Sequence, residues 1–303
     1  MGLDAGTGSI EEVVQRAEEA VGAGAQSLWS SQIFGHDTLT MLALVSQRVP
    51  DVRFGTSVVP VYPRHPTMLA AQALTVQAAS GGRLTLGVGL SHEMVVEGMW
   101  GLSYKRPARY MSDYLSILMP LLQGEQVGFS GEMLSTNTLG PLDNVVDDPP
   151  SVVVAALGSL MLGIAGRMTD GTCTWMTGTK TLAQHVVPEI TKAAEEAGRP
   201  APRVVVSLPV CLTSDPDAAR TRAAREFAVY GHLPSYRAML DREGVEGPPD
   251  VAIVGSEDAV AAGIAEVADA GATEFVATIF GNADEREATR ALVGQLGQRA
   301  QHS

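Results

Sequence analysis

Apolar positions along this chain fall into short runs that switch between a period of two and a helical period. Val52 to Val59 is β-branched and aromatic and reads as a strand, whereas Thr67 to Ser80, TMLAAQALTVQAAS, has no Gly or Pro and reads as a helix buried on most of its circumference. Arg83 to Val88 returns to a short apolar strand. Prolines at 60, 63 and 66 turn the chain out of the sheet after the first strand, and Gly81 and Gly82 stop the helix. The three runs form a βαβ unit, which predicts parallel strands and a right-handed crossover.

The same alternation runs through nearly the whole sequence. Before this unit it predicts a strand near the start, helix Ile10 to Val21, strand Ser27 to Ser31 and helix Thr38 to Ser46. After it come helix Pro107 to Leu122, strand Val152 to Ala155, helix Ser159 to Gly166, strand Gly171 to Trp175 and helix Thr181 to Ala197. Strand Val204 to Leu212, helices within Asp215 to Tyr230 and Ser256 to Ala270, strand Glu274 to Ile279 and a helix from Ala283 complete the series. Eight strands separated by helices predict one (β/α)8 TIM barrel over residues 1–303 rather than an open doubly wound sheet, because no Gly-x-Gly-x-x-Gly opens a helix after the first strand. Gly87-Val88-Gly89 is a lone Gly-x-Gly. Two stretches break the rhythm, Gln123 to Pro150 with the hairpin-like FSGEML, and His232 to Val254. Both read as loop excursions of the kind that cover or border an active face.

Composition narrows the function. A length of 303 residues with 45% hydrophobic content suffices for a large core, and the formal net charge of −13 argues against a nucleic-acid partner. Cys173 and Cys211 both fall in buried strands and read as small core residues of a reducing compartment. The N-terminal run MGLDAGTGSIEEVV lacks a basic segment followed by an apolar one, so no secretory signal is read and a cytoplasmic protein is expected. The uncharged run Pro149 to Gly166 is split by Gly158 and Ser159 into a strand and a helix, which predicts core and no membrane span.

In an α/β barrel the chemistry sits just after the strands. Those positions here are mostly neutral: Gln32, Phe34, His36 and Asp37; Ser57 to His65; Leu90 to Glu97; Leu157 to Ser159; and Met176 to Lys180. Converging metal ligands and a Gly-x-Ser-x-Gly nucleophile turn are both missing. Ala155-Ala156-Leu157-Gly158-Ser159 runs from a strand into a helix, so it is either an anion-binding turn or a plain strand-to-helix turn capped by Ser159. Thr177 and Lys180 could add a hydroxyl and a cation to the same anion. His92 and Glu93, with Glu97 a turn later, are either proton carriers or loop-surface polar residues. His36-Asp37 is an acid pair or a helix cap, and Arg64-His65 binds an anionic tail or simply solvates its loop. Trp175 ends a strand and could line the pocket.

The stretch GTSVVPVYPRHPTMLAAQALTVQAASGGRLTLGVGLSH resembles the luciferase-like monooxygenase superfamily, most closely its actinobacterial branch that uses the deazaflavin coenzyme F420. AGAQSLWSSQIFGHD, VVVAALGSLMLGIAGRMTDGTCTWMTG and VGSEDAVAAGIAEVADAGATEFV extend the resemblance over nearly the whole chain. It implies a barrel with a deazaflavin or flavin at its mouth and a non-prolyl cis peptide at Ser57-Val58 backing the ring. Gln32, Ser57, Val58, Pro60, Glu93, Ala155, Ala156, Leu157, Gly158, Thr177 and Lys180 are the expected cofactor contacts, with His92 and Glu93 as the expected proton carriers. The sequence departs from sugar-phosphate dehydrogenases of the superfamily, whose acid-His pair after the second strand is Gln32-Ile33 here and whose general base corresponds to Leu90. The reading is an F420-dependent oxidoreductase acting on a small organic substrate. An FMN-dependent monooxygenase and a non-catalytic flavin-binding barrel are the alternatives, and relatives lead to the expectation of a homodimer.

Overall fold

The computed structural model describes residues 1–301. Seven strands, Ser27–Ser30, Arg53–Thr56, Leu84–Gly89, Ser151–Ala155, Gly171–Trp175, Arg203–Leu212 and Glu274–Ile279, pair side by side and all parallel. The chain start closes the ring between the last and the first. Gly2 N–H donates to Ala277 O (2.9 Å), Leu3 N–H to Trp29 O (2.7 Å) and Trp29 N–H to Met1 O (3.0 Å). The strand expected near the start is thus a single bridge, Gly2 to Trp29. Helices pack outside the strands, which gives the (β/α)8 barrel that the alternation predicts.

Three expectations need correction. The third strand does not run unbroken from Val52 to Val59: it stops at Thr56 and resumes as Val59–Pro60, beside Val88 and Gly89. The helix expected from Thr181 to Ala197 begins earlier and changes pitch, running from Thr179–Thr181 through a π-helical turn Leu182–Val186 into Val187–Glu196. His232 to Val254 is not a plain loop. It holds helix Pro234–Glu243, with Leu240 fully buried, and strand Ile253–Gly255, which pairs with Val210 to Leu212. The other excursion does form the hairpin, Gly128–Ser130 against Ser135–Asn137. Asp113 anchors it by accepting the Met133 (2.7 Å) and Leu134 (3.4 Å) N–H groups, and Arg106 and Arg109 pair with Glu132, so it lies along helix Pro107–Leu122.

The barrel interior is layered because strand side chains alternate. At the N-terminal end of the strands Arg203 donates to Thr85 Oγ1 (3.1 Å), Ser151 Oγ (3.0 Å) and Glu274 Oε2 (2.9 Å). Ser27 Oγ (2.6 Å) and Trp29 Nε1 (2.8 Å) donate to Glu274 Oε1. Burial alone would push the Glu274 carboxyl up, but these hydrogen bonds and the Arg203 charge outweigh it and hold it below the usual range. Trp29, Val153, Cys173, Val205 and Val276 form the next layer, and a Cβ on Gly55 would lie 2.3 Å from the Trp29 ring. Both thiols are buried, and desolvation pushes Cys173 up to about 12 and Cys211 up to about 11. Neither is a nucleophile at neutral pH. No helix among the described residues is long and apolar enough to cross a membrane.

Candidate active site

The floor of the mouth is built by the break in the third strand. Thr56 is fully buried, and its hydroxyl enters the ladder, accepting from Gly87 N–H (2.8 Å) and donating to Gly87 O (2.8 Å). The chain then kinks through the Ser57-Val58 peptide, which is cis. Three bonds fix the kink: Ser57 N–H to Ser30 O (2.8 Å), Ser31 Oγ to Ser57 O (2.6 Å) and Gln32 N–H to Val58 O (3.2 Å). The half-buried Val58 rests with Ala155 on the Trp29 layer. A Cβ on Gly89 would meet Val58 Cγ2 at 2.5 Å and Ala155 Cβ at 3.3 Å, and one on Gly87 would meet Thr56 O at 1.8 Å. Gly87 and Gly89 are therefore glycines for packing, and together with Ala155 they leave a small-residue floor.

Beside that floor Ala155 to Gly158 leads into helix Ser159–Met168. Gly158 is the N-cap residue and no side chain caps the helix, which leaves the positive end of a ten-residue helix facing the mouth. Gly158 and Ser159 are exposed, and nothing lies within 4 Å of where a Gly158 Cβ would be. Ser159 is the first helical residue and does not cap the helix. His185 Nε2 donates to Leu157 O (2.8 Å) and ties the turn to the next helical run.

That next turn is already occupied by the protein itself. Thr177 is buried and its hydroxyl donates to Trp175 O (3.3 Å). Lys180 Nζ reaches Glu243 O (3.4 Å), while Lys180 N–H (3.1 Å) and Thr181 N–H (2.7 Å) donate to the Glu243 carboxylate. Thr177 and Lys180 thus each have a partner within the chain.

Several polar candidates hold loops. Gln32 Oε1 accepts Thr38 N–H (2.7 Å) and its Nε2 donates to His36 O (3.3 Å), so its amide braces the entrance of helix Thr38–Ser46. Asp37 caps that helix through Thr40 N–H (2.9 Å) and pairs with Arg64, and His65 caps helix Pro66–Ala79. Pro60 lies in the short strand opposite Gly89.

His92 and Glu93 begin the one-turn helix Glu93–Val96, and the His92 side chain makes no cap bond. Its ring packs 5.8 Å from that of Tyr236, a residue the sequence reading missed, and burial holds its imidazole below the ordinary 6.5. Glu93 is exposed, and its charge, after burial, helps push the nearby Tyr104 phenol up. From Tyr236 an aromatic wall continues through Tyr230 (5.2 Å) and Trp175 (5.7 Å) to Phe227 (5.8 Å). Burial, then Tyr230 and the Cys173 thiol, push the Tyr236 phenol up, which keeps it a proton donor. The sequence offered one local sign of this wall, Pro234 and Gly244 bracketing a helix within the supposed loop.

A pH experiment checks the His92 environment. Because burial disfavours its cation, the imidazole is neutral at pH 7 and takes up its proton only as the pH falls below 6.5. NMR titration is expected to give a midpoint below that value and to move toward it in Tyr236→Ala, which opens the ring to water. A wild-type midpoint at or above 6.5 contradicts this environment.

Comparisons with known proteins agree with the architecture. The chain is 25% identical over 239 residues to the 5,10-methylenetetrahydromethanopterin reductase of Methanolobus tindarius, covering 78% of this chain and 72% of that one. The solved coenzyme F420-dependent tetrahydromethanopterin reductase of Methanopyrus kandleri superposes with a TM-score of 0.81 at 20% identity, over 99% of this chain and 97% of that one. The FMN-bound oxygenating constituent of 3,6-diketocamphane monooxygenase from Pseudomonas putida superposes with a TM-score of 0.74 at 16% identity, over 97% and 94%. At those identities the two structures attest the fold. The luciferase-like monooxygenase family model matches residues 1–274, and the chain belongs to that family.

Proposed function

We propose that this protein is an F420-dependent oxidoreductase that moves a hydride between the deazaflavin and a small organic substrate. The observation that carries the reading is the uncapped Ser159–Met168 helix opening beside the small-residue floor of Val58, Gly89 and Ala155. A planar ring and a phosphate are the two features such a pair of surfaces accepts, since a flat group needs a floor without projecting side chains and an anion needs free N–H groups. When bound, the deazaflavin supplies the hydride chemistry at its C5.

The chain's own residues bind and shield. Backbone N–H groups at Gly158 and Ser159 hold the phosphate, Val58 and Ala155 support the ring, and the wall of Tyr236, Tyr230 and Trp175 keeps water from the reacting face. His92, neutral at pH 7, is the proton carrier on the substrate side. Two relatives whose names carry F420 support this choice of cofactor: a putative coenzyme F420-dependent oxidoreductase of Mycobacterium tuberculosis, 37% identical over 174 residues, and the F420-dependent glucose-6-phosphate dehydrogenase of Gordonia bronchialis, 29% identical over 187 residues.

Fluorescence titration of the purified chain with F420 and with FMN tests the reading. Saturable F420 binding in the micromolar range, with FMN at least tenfold weaker, is the expected result. Tight FMN binding with no response to F420 rejects it in favour of a flavin-dependent monooxygenase.

A further inference from the structure

Glu243 ends helix Pro234–Glu243, which borders the mouth through the packing of Tyr236 on His92, and its carboxylate lies on the first N–H groups of the helical run after Trp175. Oε1 accepts from Lys180 N–H (3.1 Å) and Oε2 from Thr181 N–H (2.7 Å). The contact is close enough that a Cβ on Gly178 would lie 2.3 Å from Glu243 Cδ. Lys180 Nζ points to the Glu243 carbonyl (3.4 Å), at the negative end of helix Pro234–Glu243. The turn that opens the second helical run therefore already holds an anion, supplied by the chain.

The helix that delivers this carboxylate is fixed. Met239 and Leu240 are buried, Thr181 Oγ1 donates to Met239 O (3.3 Å), and Arg237 donates to Val245 O (2.9 Å), Glu246 O (2.7 Å) and Asp241 Oδ1 (2.8 Å). The same helix carries Tyr236, whose ring packs against His92 and Tyr230. One rigid element thus sets both a negative charge and an aromatic wall at one side of the mouth. A phosphate or carboxylate group of a substrate arriving there meets a like charge and N–H donors that are already engaged.

We propose that Glu243 is a specificity-determining residue that excludes anionic groups from the Gly178–Thr181 side of the mouth. The substrate is neutral at that end and lays an apolar or ring-bearing face against Tyr236, Tyr230 and Trp175. The inference rests on the reading of this mouth as the active site, but its test needs no cofactor. Binding of inorganic phosphate to the full chain is measured by calorimetry for the wild type, Lys180→Ala, Glu243→Gln, Glu243→Ala and Glu243→Ala combined with Lys180→Ala. Removing the carboxylate is expected to raise phosphate affinity at least tenfold, and adding Lys180→Ala to remove that gain. Glu243→Gln leaves the helix seat intact and gains in the same direction, which covers the case of a misfolded alanine variant. The proposal is overturned if neither folded variant gains, if the gain survives Lys180→Ala, or if wild-type phosphate binding is already lost in Lys180→Ala. Phosphate bound at the Gly158 turn responds to neither residue, so failure of F420 binding and failure of this inference are separate results.

Discussion

Ala155→Leu is expected to weaken F420 binding by roughly 100-fold or more, about 2.7 kcal/mol, while the barrel stays folded. Ala155 ends strand Ser151–Ala155, packs with Val58 on the Trp29 layer, and would touch any Cβ added at Gly89. A leucine there projects into the space above the floor, where the ring is proposed to lie. Overpacking a closed core costs about 1–3 kcal/mol, and the cost here is at the lower end because the residue is only half-buried at an open mouth. Circular dichroism and the thermal midpoint should therefore change little while the titration collapses. Ala155→Gly, which keeps the floor flat, should bind within a few-fold of wild type. Undiminished F420 affinity in Ala155→Leu would remove this floor from the site.

Arg83→Ala is expected to lower folding stability by about 3 kcal/mol, a drop of roughly 5 °C in thermal midpoint for a chain of this size. The guanidinium donates to the carbonyls of Ser80, Val49 (3.0 Å), Val52 (2.8 Å) and Ser46 (3.0 Å), and it lies 5.0 Å from the centre of the Phe54 ring. Ser46 and Ser80 stand at the ends of helices Thr38–Ser46 and Pro66–Ala79, so one cation satisfies carbonyls left over at two helix C-termini. Its removal strands those acceptors in a half-buried cleft. Arg83→Lys keeps the charge but loses the fork and should recover less than half of the loss. Urea unfolding of the three proteins measures this. A loss below about 1 kcal/mol in Arg83→Ala would mean that water replaces the bonds at no cost.

The parts of the fold legible in the sequence are those fixed locally. Helix Thr38–Ser46 carries its own start signal in Asp37, and the FSGEML turn announces its hairpin. The cis peptide at Ser57-Val58 is legible by resemblance and not by pattern, since the polar Thr56-Ser57 pair within Val52 to Val59 fits an ordinary strand as well as a kink. Helix Pro234–Glu243 was missed because only a narrow side of it, Met239 and Leu240, is buried, and the rest is polar like a loop. The Arg64 pair with Asp37, the Tyr236 contact with His92 and the seat of Glu243 on Lys180 join residues 27, 144 and 63 positions apart. No local period records such contacts. For the same reason nothing in the sequence shows that the Lys180 backbone N–H and ammonium both reach Glu243.

The central claim is that a deazaflavin lies over Val58 and Ala155 with its phosphate at the start of helix Ser159–Met168. A crystal structure of the chain grown with F420 measures this directly. The account predicts a phosphate oxygen within hydrogen-bond distance of the Gly158 or Ser159 N–H and the ring in van der Waals contact with Val58. Phosphate density at another helix end, or a ring held away from the Ser57-Val58 kink, would contradict it.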